Sequence, residues 1–71
     1  MADTIDAPMR GTILELSVAA GDKVSVGTEV VIIESMKMEI PVEAADAGTV
    51  ASVLVEAGQA VEEGDPLLEL N

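Results

Sequence analysis

Cysteine, histidine and every aromatic residue are missing from this 71-residue chain. Without cysteine there is no disulfide, no thiolate metal site and no thiol nucleophile, and without histidine the commonest general base and zinc ligand is gone. Catalysis by this chain alone is not expected. The lack of aromatics removes the stacking platforms of single-strand binders, and a formal net charge of −11, with only three basic residues, opposes a phosphate backbone. Nucleic acid is excluded as a partner. Long apolar runs are absent too: none approaches the roughly 20 residues of a membrane span. No membrane partner is expected. The opening Met1-Ala2-Asp3-Thr4 carries no basic segment followed by an apolar stretch, so the expected location is cytoplasmic.

Apolar residues make up 49% of the chain, which separates it from the low-hydrophobicity sequences that stay disordered. It should fold as one small domain, residues 1–71, on a core of Val, Ile, Leu and Met. The six glycines fall into three pairs at one constant offset of 37 positions: Gly11/Gly48, Gly21/Gly58 and Gly27/Gly64. Neighbours keep that offset, as in Thr12/Thr49, Ile13/Val50, Leu16/Val53, Val18/Val55, Ala20/Ala57 and Val24/Val61. Two pseudo-repeats follow, about residues 4–35 and 38–71. Each glycine pair is expected to mark one kind of turn used twice.

Within each half the period is two. Ile13, Glu15 and Ser17 alternate with Leu14, Leu16 and Val18, and Val50 and Ser52 alternate with Ala51, Val53 and Val55. Val30-Val31-Ile32-Ile33 is a short β-branched run whose counterpart is Leu67-Leu68-Glu69-Leu70. Ala19-Ala20-Gly21-Asp22 and Glu56-Ala57-Gly58-Gln59 read as equivalent turns, and Pro66 belongs at a strand start or edge. Short strands between glycine turns predict a small all-β sandwich or barrel, each half supplying about four strands.

Lys37, one of the few basic side chains, stands between the halves. The segment from Thr28 to Ala45 would extend about 60 Å if unbroken, far more than a small domain can hold, so a hairpin near Met36-Lys37 is required. A two-fold relation between the halves puts both termini at the pole opposite Lys37. Met36-Lys37 is a poor pair for a two-residue turn, where Asn-Gly would be usual, and a poor turn pair kept at a tip points to function. If the strand alternation carries through, Met36 and Met38 share a face opposite Lys37. A nucleophilic amine held at one exposed place suits covalent attachment of a group better than catalysis.

Glu34-Ser35-Met36-Lys37-Met38-Glu39-Ile40-Pro41, with Ala-Pro-Met-Arg-Gly-Thr at residues 7–12 and Ala-Gly-Asp-Lys-Val at 20–24, resembles the biotinyl domain family over nearly the whole chain. Within it, the likeness is to small stand-alone biotin/lipoyl attachment proteins of the biotin carboxyl carrier type. The resemblance implies an all-β fold, a flattened barrel-sandwich hybrid of two four-stranded antiparallel sheets with internal pseudo-two-fold symmetry. It implies biotin in amide linkage to Lys37, with Met36, Met38, Glu34, Ser35 and Glu39 as flanking recognition residues. Ser35 departs from the alanine common in the family. The constant offset leaves no room for the thumb insertion of some bacterial acetyl-CoA carboxylase carrier domains.

The partners implied are a biotin protein ligase, which activates biotin for attack by the Lys37 amine, and a biotin carboxylase and carboxyltransferase, between which biotin carries carboxylate. The implied role is a non-catalytic carrier subunit of an acyl-CoA type carboxylase, monomeric on its own. Two alternatives stay open. A lipoyl carrier shares the hairpin lysine but typically has Asp-Lys-Ala at the tip, and an unmodified barrel-sandwich interaction module would make Lys37 incidental.

Overall fold

The β-branched and leucine-rich runs, punctuated by glycine turns, form eight strands in the computed structural model, which describes residues 3–71. These are β1 (Asp3–Asp6), β2 (Gly11–Leu16), β3 (Lys23–Val24), β4 (Glu29–Ser35), β5 (Met38–Glu43), β6 (Gly48–Val53), β7 (Ala60–Val61) and β8 (Pro66–Leu70). Met1 and Ala2, which the domain range and the reading of the amino terminus include, lie outside the described residues. Two four-stranded antiparallel sheets result, ordered β1-β8-β6-β3 and β5-β4-β2-β7. The expected fold class is the one observed.

Adding 37 to the first four strands lands on the last four and exchanges the sheets. Each sheet therefore takes strands from both halves, and the repeats interlock instead of stacking. The core obeys the same relation: Ile5/Val42, Ala7/Ala44, Ile13/Val50, Val24/Val61, Val30/Leu67, Val31/Leu68 and Ile33/Leu70 are all buried. Among the described residues no polar side chain joins them. No described methionine does either, contrary to the composition-based expectation: Met9 is half-buried, and Met36 and Met38 are exposed.

Two further expectations are corrected. Ile13 is 1% exposed while Leu14 is 38% exposed, because the register of β2 against β4 shifts between Ile13 and Glu15. That bulge leaves Leu14 unpaired and turns the alternation over, so Leu14 does not lead an inward set with Leu16 and Val18. The same shift occurs between Val50 and Ser52, leaving Ala51 exposed. Gly21, Gly27, Gly58 and Gly64 do turn the chain, with φ of +96°, +91°, +92° and +90°. Gly11 and Gly48 mark no turn. They open β2 and β6, and a Cβ at Gly11 would sit 2.6 Å from the Glu34 carbonyl oxygen, one at Gly48 2.9 Å from that of Asn71. This pair serves close approach, the other reason to use glycine.

The equivalent turns are closed alike, the Ala19 amide donating to Asp22 Oδ2 at 2.9 Å and the Glu56 amide to Gln59 Oε1 at 3.1 Å. Pro66 opens β8, and Pro41 lies in the edge strand β5, where a missing amide donor is tolerated. Asp3 pairs with Leu70, so the two ends of the described chain lie together. The dyad relates that place to the β4–β5 hairpin.

Candidate functional site

The hairpin has β4 as an interior strand of its sheet and β5 as the edge, so its tip is anchored on one side by β2 and open on the other. Ser35 pairs with Met38, leaving Met36 and Lys37 as a two-residue turn with φ of 53° and 65°. Positive φ at both central residues matches the twist of the strands and normally calls for Asn-Gly. In residues with a Cβ, left-handed backbone costs roughly 1–2 kcal/mol each.

The sequence-marked residues gather at this tip. Lys37 is exposed, Met36 is 92% exposed and Met38 63%. The strand alternation does not carry through: Met36 belongs to the turn and Met38 to the first pair of β5, so they share no strand face opposite Lys37. They are apolar shoulders on either side of the amine, outside the core. Glu34 and Glu39 lie directly opposite each other one pair below, and Ser35 is half-buried. Like charges facing across a strand pair are unfavourable, so those carboxylates are not there to hold the hairpin. Among the described residues the single ion pair is Arg10 to Glu62 at 3.4 Å, and it does not involve Lys37.

Sequence reasoning missed Met9 and Arg10 as members of the site. A groove of about 650 Å³ runs beside the tip, with Met9 to Thr12 on one side and Glu34 to Lys37 on the other. Strand β2 brings them there, since Thr12 pairs with Glu34. The signal was in the repeat, whose offset pairs Met9 and Arg10 with Asp46 and Ala47.

Chemically the tip offers one amine, two apolar shoulders and the exposed Glu34 and Glu39 carboxylates. No grouping of described residues could hold a metal ion, and no described helix is long and apolar enough to cross a membrane. An exposed amine on a two-residue turn, outside any ion pair among the described residues, fits a covalently attached group of some length.

Residues 3–70 match the family model described as Biotin-requiring enzyme. The chain is 47% identical over 68 residues to the Biotin/lipoyl attachment protein of Bacillus subtilis, covering 96% of this chain and 93% of that one. It is 46% identical over 69 residues to the Biotin carboxyl carrier protein of Streptococcus mutans, covering 97% of this chain and 53% of that one. Among solved structures, a single-chain, multi-domain long-chain acyl-CoA carboxylase superposes with a TM-score of 0.89 at 38% identity, over 96% of this chain and 7% of that one. The chain thus spans about half the length of the Streptococcus protein and a small part of the carboxylase.

Proposed function

Because the chain belongs to the biotin-requiring enzyme family, we propose that Lys37 is the residue that receives biotin and that the chain serves as the biotin carboxyl carrier of a biotin-dependent carboxylase. It is a carrier and not a catalyst, as its relatives' names have it. The observation that supports Lys37 is its place: an exposed amine at the centre of a two-residue turn between two exposed methionines.

Its own residues have limited tasks. The amine attacks only in its neutral form, and the biotin protein ligase takes up the proton in that step. Lys37 Nζ would then attack the carbonyl of the biotinyl-adenylate made by the ligase, the new amide C–N bond replacing the acyl–phosphate bond as AMP leaves, and the side chain would lose its positive charge. The turn holds the amine clear of the sheet, while Met36 and Met38 present apolar surface and Glu34, Ser35 and Glu39 present polar surface for the ligase to read. Bound biotin supplies a ureido nitrogen that carries carboxylate. The partners on that route are a biotin carboxylase and a carboxyltransferase, with an acyl-CoA acceptor favoured by the likeness to the acyl-CoA carboxylase. Tethering raises the local concentration of the carried group at both active sites. The free domain acts as a monomer.

Intact mass of protein made with an active biotin ligase tests the assignment. A single biotinyl increment is expected, and it should vanish in Lys37→Arg. A lipoyl increment would move the chain to the lipoyl carriers, whose tip it does not share. No increment under saturating biotin and lipoyl ligases would leave only the unmodified interaction module.

A further inference from the structure

The repeat departs from itself beside Lys37. Gly11 and Thr12 recur as Gly48 and Thr49, but the two residues before them, Met9 and Arg10, recur as Asp46 and Ala47. The same approach to a strand is built at the dyad-related place without a thioether or a guanidinium, so the backbone does not demand either. At the Lys37 pole these side chains form the far wall of the groove of about 650 Å³, with Lys37 on its near wall. Arg10, exposed, lies 3.4 Å from Glu62, and Met9 is half-buried. Gly11 also lines it. The half-buried hydroxyls of Thr12 and Ser35 enter no side-chain hydrogen bond among the described residues.

We infer that this groove is a resting site for the biotin carried on Lys37, an inference that rests on the attachment reading above. A fused ring with one apolar sulfur-bearing face and one urea edge needs a conformable apolar wall together with hydrogen-bond donors and an acceptor. Met9 and Met36 supply the wall, since thioether side chains adapt to irregular apolar shapes. The Arg10 guanidinium and the two hydroxyls are donors for a urea carbonyl, and the Glu34 carboxylate is an acceptor for a urea N–H. The volume lies within the roughly 300–1,000 Å³ of small-molecule sites. High affinity is not required, because a short flexible tether gives an effective concentration of the order of millimolar. The groove holds the ring between visits to the partner enzymes and gives it up when they bind more tightly.

The test compares unmodified and biotinylated full-length chain by amide and methionine-methyl NMR, after intact mass has established the biotinyl increment and its loss in Lys37→Arg. Expected are shift changes at the Met9 methyl and the Arg10 and Thr12 amides, unchanged on tenfold dilution, with cross-relaxation from ring protons to the Met9 methyl. In Met9→Asp/Arg10→Ala, which installs the residues of the other half, the Thr12 change should fall at least threefold while changes at Ser35 to Met38 persist. Changes confined to Ser35 to Met38 in the natural sequence would overturn the resting site and leave the attachment intact. Changes that vanish on dilution would overturn it by assigning the contact to a second molecule. A missing increment would show at the mass spectrum and sink both readings.

Discussion

Met36 and Lys37 occupy backbone conformations that side chains disfavour, with φ of 53° and 65°, and Met36, 92% exposed, is the most exposed large apolar side chain among the described residues. A glycine at position 36 would relieve roughly 1–2 kcal/mol of left-handed strain, less the entropy cost of about 0.5–1 kcal/mol that glycine brings. Met36→Gly is therefore expected to stabilise the fold by up to about 1.5 kcal/mol, raising the melting temperature by a few degrees. Its rate of biotinylation should fall, because one apolar shoulder of the amine is gone. An unchanged or lower melting temperature by calorimetry would mean that the turn stores no strain at this residue. Lys37 was legible as the candidate from its scarcity and mid-chain position. The exposure of its neighbours was not, since an unbroken period of two would have put both methionines on one strand face.

Among the elements, β2 decides most about the site. It pairs with β4 along the hairpin, starts at the glycine that lets β4 approach, and carries in the residues before it the far wall of the groove. A methyl group at Gly11 would meet the Ile33 side chain and the Glu34 carbonyl, and overpacking of this kind costs about 1–3 kcal/mol. Gly11→Ala should lower stability by that amount in urea unfolding and also slow ligation, as the base of the hairpin is displaced. Gly48→Ala is the internal control. Its added methyl would lie 2.9 Å from the Asn71 carbonyl oxygen, a milder clash than at Gly11 and at the pole away from Lys37, so a smaller loss and an unchanged ligation rate are expected. Equal effects of the two on ligation would refute the coupling of β2 to the tip. The bulges at Leu14 and Ala51 escaped the sequence pattern, because a single inserted residue reverses every side chain after it and leaves no local mark.

At the scale of the molecule, a Cα envelope of 33 × 18 × 17 Å holds a formal charge of −11. Such crowding of one sign destabilises the compact state by self-repulsion, and salt screens it over a distance that falls from about 10 Å at 0.1 M to 3 Å at 1 M. The melting temperature should rise as sodium chloride is added from low ionic strength. A flat or falling profile would show that the carboxylates are spaced widely enough not to repel. Interlocking of the halves has its own consequence: each sheet is completed by strands from the other repeat, so neither half can bury its apolar residues alone.

The sequence by itself determined the all-β class, the two-fold repeat and the hairpin at Lys37, because positive-φ glycines, β-branched runs and a length too great for one strand are local properties. It also held the contiguous run of six residues from Glu34 to Glu39 on which the proposed attachment at Lys37 rests. Only the tertiary structure decided which face of β2 is inside, why Gly11 and Gly48 are glycine, and that Met9 and Arg10 stand beside a lysine more than 25 positions away. Those depend on which strands lie side by side, and strand pairing brings distant residues together through backbone hydrogen bonds that carry no record of side-chain identity.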